Sequence, residues 1–234
     1  MKSRVSLVSA LCVGVLILIG STAQAQTPTV EATPVVPNAI PLFPLPSSVL
    51  FPDVSLPLRV FEPRYRAMVE AALQSDRIIG IVLLRSGFEG DREDNPPVYA
   101  IGTAALITNV EPLADGRFNL IVRGLAKIRI ISEEGTRPFR IAKVQTIAEV
   151  PDAAATETLK QLRPRLEHLV LEATGLSFAD LGIAAAPDTE VVNALAFHLD
   201  FDPLDSQGLL EQDGVVPRAE TLIHLLETNG ALPR

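Results

Sequence analysis

The stretch Asp115–Gly124, with the sequence DGRFNLIVRG, decides the fold class of this 234-residue chain. An Asp-Gly pair between two apolar runs is a strong hairpin signal, because both central residues of the tight turn favour positive φ. In the strand that follows, every second residue is apolar: Phe118, Leu120 and Val122. The other face carries Asn119 and Arg123, and only Ile121 breaks the alternation. This pattern predicts an antiparallel sheet with one face packed on a core.

The sequence on both sides of this stretch is also mainly strand-like, from Ile40 to about Val150. Six runs separated by turn residues fit strands: Ser55–Phe61, Ile78–Leu84, Val98–Val110, Phe118–Gly124, Ala126–Glu133 and Arg140–Glu149. A single helix interrupts them, starting at Pro63, where proline costs no hydrogen bond, and running to about Ser75. Many strands with one helix predict a closed or half-closed antiparallel barrel on which that helix packs.

The pattern becomes helical after Val150. Apolar residues recur at helical spacing over Leu159–Val170, and Pro164 is expected to kink or split that helix. Further helices are indicated by three start signals: Asp188 as a cap, Asp202-Pro203 and Pro217. The sequence therefore predicts an α+β fold, with a β-rich part over residues 40–150 and a helical bundle over residues 151–230.

The N-terminus has the three parts of an export signal. Two basic residues precede the apolar core Val5–Gly20, and Ala23–Ala25 form a small-residue cleavage site, so residues 1–25 are the predicted signal peptide. An uncleaved membrane anchor is the alternative, but the apolar stretch is shorter than the roughly 20 residues that a spanning helix needs. Residues 26–39 are rich in proline and are expected to form an extended linker. We expect a periplasmic or secreted protein with no membrane span after cleavage.

Composition argues against several kinds of partner. The formal net charge of −8 disfavours binding to nucleic acid and electrostatic docking on anionic lipid. The chain has no tryptophan and only 5% aromatic residues, which disfavours a stacking platform for bases. Its one cysteine, Cys12, lies within the predicted signal peptide, so we expect neither disulfides nor thiolate chemistry in the mature chain.

Motifs for catalysis and metal binding are missing from the sequence. It contains neither a G-x-x-x-x-G-K-[ST] phosphate loop nor a G-x-S-x-G nucleophile elbow. None of the three histidines has a second histidine at metal-ligand spacing: His168, His198 and His224. The acid-rich run Glu89–Asn95 lacks the residue order of a calcium loop, so a solvated connection is favoured over a cation site. We expect no enzyme activity, no cofactor and no metal.

The densest mix of charged and aromatic side chains is Phe61-Glu62-Pro63-Arg64-Tyr65-Arg66. In a helix that starts at Pro63, Glu62 lies at the positive end of the helix dipole, where its carboxylate can accept from free N–H groups. Arg66, four residues further on, is the expected ion-pair partner of Glu62. This capping role is favoured over a catalytic one. Four residues of the run stay candidates for a binding or structural role: Phe61, Glu62, Arg64 and Tyr65.

A series of motifs resembles a known family. They are Ile40–Pro46, Val49–Pro52, Leu56–Leu58, Phe61–Tyr65, Gly80–Leu84, Gly102–Ile107, Asp115–Phe118, Gly124, Ile128–Ile130, Gln207, Leu209–Glu211, Asp213, Arg218 and Leu222. In order and spacing, over about Ile40 to Glu227, they resemble the N-terminal substrate-binding domain of Lon proteases, without the ATPase or protease domain. The resemblance implies a PUA-like β-rich pseudo-barrel followed by a helical bundle, which Lon proteases use to engage unfolded or damaged proteins. Asp53 departs from the glycine usual in that family and implies a reshaped turn, and Gly208 implies a weaker helix.

Two hypotheses about function follow. The first is a non-catalytic module whose groove between barrel and bundle binds unfolded or exposed hydrophobic polypeptide segments, or an envelope protein partner. Its candidate residues are apolar and bounded by prolines: Leu42, Phe43, Leu45, Leu50 and Phe51. Each of them, taken singly, is more often a core residue than a binding residue. The second is an envelope protein that binds a small molecule or lipid in a cavity at the barrel mouth.

Overall fold

The computed structural model describes residues 34–88, 95–134 and 138–229. Within them the strands are β1 (Ala39–Leu45), β2 (Ser55–Val60), β3 (Ile78–Leu83), β4 (Ile101–Pro112), β5 (Phe118–Glu134) and β6 (Ile141–Ile147). The helices are α1 (Pro63–Leu73), α2 (Ala153–Thr174), α3 (Asp188–His198), α4 (Pro203–Glu211) and α5 (Val215–Asn229). The predicted α+β class is confirmed. The predicted signal peptide, most of the predicted linker and most of the acid-rich run lie outside the described residues.

The six strands form one sheet that closes on itself. Its order is β2-β5-β4-β3-β1-β6, and β5 also pairs with β6, so five strands form a closed ring while β2 stays at the edge. The first half of β5 pairs with β2, and its second half pairs with β6. β1 and β3 are parallel, although the sequence predicted an antiparallel barrel. The parallel pair arises because β2 and α1 form a crossover that returns the chain in the same direction.

Two strands differ from the predictions for local reasons. β1 contains Pro41 and Pro44 and was not among the predicted strands. The first half of β1 pairs with β6 and the second half with β3. Each half therefore has a partner on one side only, and a proline without an N–H can be accommodated there. β5 is one 17-residue strand instead of two. Gly124 does not end it; a side chain there would collide with the carbonyl oxygen of Phe51, so the glycine permits a close approach.

The β4–β5 hairpin has a longer loop than the tight turn that was predicted. The Leu113 N–H donates to the Arg117 carbonyl (2.8 Å), and the Gly116 N–H donates to the Leu113 carbonyl (2.9 Å). Gly116 has φ 78°, whereas Asp115 is not among the residues with positive φ. The Asp115 carboxylate instead accepts from the Arg117 side chain (2.6 Å). The result is a three-residue loop in which glycine alone supplies the left-handed conformation.

The C-terminal helices follow the predicted order with three corrections. α2 continues through Pro164 and is not split. α3 has Pro187 at its N-cap, while Asp188 is its first residue and pairs with Arg163 (2.5 Å). α5 begins at Val215, two residues before Pro217. Asp202-Pro203 starts α4 as predicted.

Two hydrophobic clusters hold the molecule together. The smaller one contains side chains from β1, β3, β4, β5 and β6 and fills the inside of the ring: Ile40, Leu42, Ile78, Val82, Ala104, Ile128, Ala142 and Val144. The larger one combines α1 and alternate residues of the sheet with residues from all four C-terminal helices. The predicted β-rich part and helical bundle therefore share one core, and the described residues belong to one compact unit.

Candidate functional site

The proline-bounded apolar residues mostly fill the core. Leu42 lies inside the ring, and Phe43, Leu50 and Phe51 are buried in the larger cluster. Successive residues of β1 point to opposite faces of the sheet, which sends Leu42 into the ring and Phe43 toward the helices. Leu45 is partly exposed at the end of β1. The other four are core residues, the position that the sequence favoured for each of them singly.

The four candidate residues at the start of α1 do not have the predicted arrangement. They are Phe61, Glu62, Arg64 and Tyr65. Glu62 is the N-cap residue, yet its carboxylate accepts no backbone hydrogen bond. It pairs with Arg64 (2.9 Å) and not with Arg66, whose backbone N–H donates to the Glu62 carbonyl. The predicted side-chain cap and its ion pair with Arg66 are therefore wrong. The Glu62 carboxylate binds the Arg64 guanidinium two residues away instead of the free N–H groups of the helix.

The Arg64 and Tyr65 side chains mainly brace the start of α1. The Arg64 guanidinium lies over the Tyr65 ring (4.6 Å), and that ring packs against Phe43 (4.6 Å between centroids). Burial raises the pKa of the Tyr65 phenol, an effect that the neighbouring Arg64 partly offsets, so the phenol stays protonated at neutral pH. Phe61, in contrast, is 61% exposed. It is the member of this group that is open to a partner.

A first cleft lies where the end of the ring meets the first turn of α4. We call it the rim cleft; its volume is about 480 Å³, and it is lined by Pro46, Ser47, Leu83, Leu84, Ser86, Asp202, Pro203, Leu204 and Asp205. The Gln207 amide of α4 donates to the Ile101 carbonyl of β4 (3.1 Å), which attaches the helix to the sheet. Leu204 is 53% exposed. The cleft thus combines apolar walls with two carboxylates, and neither forms an ion pair within the described part of the chain.

A second cleft opens where β2 and β6 diverge from β5. We call it the charged cleft; its volume is about 400 Å³, and it is lined by Pro52, Asp53, Leu125, Ala126, Lys127, Thr146, Ile147, Ala148, Glu149, Val150, Pro151, Thr189, Asn193 and Val215. Strands β5 and β6 supply one wall, and α3 and α5 supply the other. Apolar side chains predominate, but charged groups lie among them.

A buried network of charges underlies the charged cleft. One carboxylate oxygen of Glu149 accepts from the Lys127 ammonium (2.9 Å) and from the Arg218 guanidinium (2.7 Å). Arg218 also donates to the side-chain oxygen of Asn193 (2.7 Å), and Lys127 donates to the Gln212 carbonyl (2.5 Å). The Lys127, Glu149 and Arg218 side chains are only 3%, 9% and 0% exposed. Two cations therefore share one carboxylate in a nearly dry environment.

The sequence carried no local signal for this network. Lys127 and Glu149 are 22 residues apart, and Glu149 and Arg218 are 69 residues apart, so only the tertiary fold joins them. Arg218 belonged to the motifs of the resemblance, but no role could be given to it. Phe51 was a candidate for the binding surface, although a core position was favoured for it singly; its ring is buried and lies under the Arg218 guanidinium (5.5 Å).

Among residues 34–88, 95–134 and 138–229, no group of three or more His, Cys, Asp or Glu residues is arranged to hold a metal ion. Burial lowers the pKa of the His198 imidazole, which lies edge-on to Phe197, so the neutral ring is favoured. The same residues include no helix that is both long and apolar enough to cross a membrane.

The inside of the ring is closely packed around Gly80. A methyl group added at Gly80 would lie 2.9 Å from Leu42 and 3.1 Å from Ile40, and within 3.5 Å of Ile128. These atoms come from two further strands of the ring, so side chains meet across its centre. Packing of this kind is typical of small closed barrels filled by their own residues.

Comparison with known proteins identifies the relatives of this fold. The family described as the ATP-dependent protease La (LON) substrate-binding domain matches residues 39–228. The chain is 28% identical over 220 residues to Lon protease 2 of Myxococcus xanthus, covering 88% of this chain and 26% of that protein. It is 28% identical over 200 residues to the Lon protease of Cytophaga hutchinsonii, covering 82% and 24%. The chain thus spans about a quarter of the length of these curated relatives.

Solved structures agree on the fold. A Lon N-terminal domain protein from Xanthomonas campestris superposes with a TM-score of 0.56 at 24% identity, covering 80% of this chain and 97% of that one. The N-terminal domain of the Mycobacterium avium complex Lon protease gives a TM-score of 0.56 at 22% identity, covering 82% and 99%. The matched region corresponds to the substrate-binding part of Lon proteases, outside their ATPase and protease domains.

Proposed function

Because the chain belongs to the Lon substrate-binding domain family, we propose that it binds unfolded or exposed hydrophobic segments of other polypeptides without cutting them. The observation that carries this proposal is the rim cleft. It is an apolar depression between the ring and the helical part, where the groove was expected from the sequence. Clefts with apolar walls and a few polar groups are the usual form of binding sites.

The composition of the rim cleft suggests the chemistry of its occupant. Leu204, which is 53% exposed, offers apolar contact, while Asp202 and Asp205 place negative charge at the same cleft. The whole chain is also acidic, with a formal net charge of −8. Charge complementarity therefore favours segments that combine apolar and basic side chains.

Short fluorescent peptides with amidated C-termini test this proposal. An apolar–basic peptide should bind more tightly than an apolar–acidic peptide or a polar one, and an unfolded protein should bind more tightly than its folded form. Leu204→Ser should weaken the apolar–basic peptide roughly five- to tenfold, because about half of a leucine side chain would lose its burial on binding.

Leu171→Ser is the matched control, because Leu171 is 47% exposed on α2 and does not line the rim cleft. It should leave peptide affinity unchanged. Equal affinity for all three peptides, or equal loss in both variants, would contradict the rim cleft as the binding site.

We extend the proposal to two of the residues singled out from the sequence. Leu45 precedes Pro46 of the rim cleft and is partly exposed, and Phe61 is a separate exposed aromatic residue at the start of α1. Exposed aromatic side chains next to arginine are common centres of protein interfaces. Phe61→Ala should lower the affinity for an unfolded protein a few-fold and leave the melting temperature unchanged. A variant that binds normally would remove Phe61 from the site.

The cellular setting is also a proposal. The export signal predicted at residues 1–25 would place the binding module in the periplasm or outside the cell, where an envelope protein could be its partner. Expression of the full chain with N-terminal sequencing of the exported material should give a sequence that starts at Gln26. Exported protein that starts at Met1 would contradict cleavage.

A further inference from the structure

We infer that the charged cleft is a second site, which binds a carboxylate group carried by a polypeptide. This inference rests on the proposed function for the kind of molecule that carries the carboxylate. The carboxylate itself follows from the charges beneath the cleft.

The buried charges beneath the cleft do not balance. Lys127 and Arg218 are both nearly buried, and Glu149 is the carboxylate between them. Asp53, the remaining charged residue of the lining, forms its own pair with Arg123 (3.0 Å). Both cations are paired with Glu149, but the buried group carries one more positive than negative charge. Excess buried charge is unfavourable, so an anion that enters the cleft would offset it.

Among the described residues, the cleft has side-chain donors of Lys127 and Asn193 without acceptors, and the second carboxylate oxygen of Glu149 is buried without a donor. The Lys127 ammonium has three N–H groups, and two of them have acceptors, Glu149 and the Gln212 carbonyl. The side-chain N–H groups of Asn193, which lines the cleft, donate to no acceptor within the described part of the chain, although its oxygen is bound by Arg218. A carboxylate, which only accepts, fits these donors better than a neutral peptide group does.

The cleft around these charges has apolar walls. Leu125, Ile147, Val150 and Val215 line it, and Val150 is among the most exposed large apolar residues. Apolar side chains next to the bound carboxylate could therefore pack on these walls. The occupant that fits is a polypeptide segment with a carboxylate beside apolar residues, supplied either by its C-terminus or by an acidic side chain.

Three versions of one apolar peptide separate these two sources. The first has a free C-terminus, the second is amidated, and the third is amidated and carries one internal glutamate. The first or the third should bind roughly tenfold more tightly than the second, as expected for a charge-assisted hydrogen bond. The gain should diminish as salt is raised. Equal affinities of all three peptides would overturn the inference and leave the rim cleft unaffected.

Lys127→Gln tests the site itself, because glutamine removes the charge and keeps a donor. This variant should lose the preference for the carboxylate but keep its affinity for the amidated peptide. The matched control is Lys143→Gln, since Lys143 is also ion-paired on the sheet but is 56% exposed and lies outside the cleft. A preference that survives Lys127→Gln would overturn the inference.

N-acetylleucine and its amide distinguish failure of this inference from failure of the proposed function. The free acid should shift the backbone amide resonances of Lys127 and Asn193, whereas the amide should not. If the acid binds and no peptide does, the carboxylate site stands and the polypeptide function fails. If the acid causes no shift in the wild-type protein, the carboxylate site is refuted.

Discussion

Gly80 in β3 is the residue at which the packing inside the ring can be tested by a single added methyl group. Its neighbours inside the ring leave less space than a methyl group needs, with Leu42 and Ile40 at 2.9 and 3.1 Å from the added carbon. Gly80→Ala should therefore lower the free energy of unfolding by about 1–3 kcal/mol, the usual effect of overpacking a core. Chemical denaturation at equilibrium measures the change.

Gly208→Ala is the opposite experiment at an equally small residue. Gly208 lies within α4, and an added methyl group would meet no atom within 4 Å. Alanine should therefore raise the free energy of unfolding by about 0.5–1 kcal/mol, through helix propensity alone. If both alanine variants had the same effect, the ring would not be packed as the structure shows.

Asp53 has a left-handed backbone conformation and an ion pair, and the sequence pointed to neither of them directly. The sequence predicted a reshaped turn there, because the resembled family usually has glycine. The backbone at Asp53 has the left-handed conformation, with φ 64°, which aspartate tolerates better than most residues. Its side chain adds a pair with Arg123 that glycine could not make. The departure from glycine marked the position, whereas the contact with Arg123 required the fold.

At the level of secondary structure, β2 is the strand most exposed to unwanted pairing. The Gly124 N–H donates to the Val54 carbonyl (2.9 Å). From that pair onward, every second residue of β2 directs its backbone N–H and C=O groups toward β5. The backbone groups of Ser55, Pro57 and Arg59 therefore point away from β5. Pro57 lacks an N–H in the middle of this free edge, as is common in strands protected against association.

Pro57→Val should restore that donor and promote association between molecules, which sedimentation velocity would show as dimers or larger species. Ser55→Val is the control, because it adds the same apolar side chain on the same strand without adding a donor. Equal association of the two variants would assign the effect to side-chain apolarity and contradict protection by the backbone.

The predictions for elements succeeded where the signal was local. Pro63 and Asp202-Pro203 start helices as expected, and Asp115-Gly116 marks a hairpin. They failed where a strand changes partners, because no local pattern encodes such a change. β5 continues past Gly124 from β2 to β6, and β1 changes from β6 to β3. The charged cleft lies at the first of these changes, which explains why its residues were not predicted.

At the scale of the whole molecule, the division into a β-rich part and a helical bundle describes the order of elements but not independent folding units. The larger cluster includes Ile79 and Ile81 of β3 together with residues from every C-terminal helix. The Arg218 side chain of α5 also pairs with Glu149, which precedes the helical part. Removal of the helices would expose the sheet face and leave Glu149 with one cation instead of two.

A chain that ends at residue 150 should therefore not fold by itself. Residues 34–229 should unfold in one cooperative transition, because the two parts bury the same core. The fragment of residues 34–150 should instead show a broad transition and bind a dye for exposed apolar surface, as expected when an extensive apolar face loses its cover. Circular dichroism and calorimetry of both proteins measure the difference. A sharp transition in the fragment, with a calorimetric enthalpy equal to its van't Hoff enthalpy, would show that the ring is stable without the helices, and the rim cleft would then join two separable bodies.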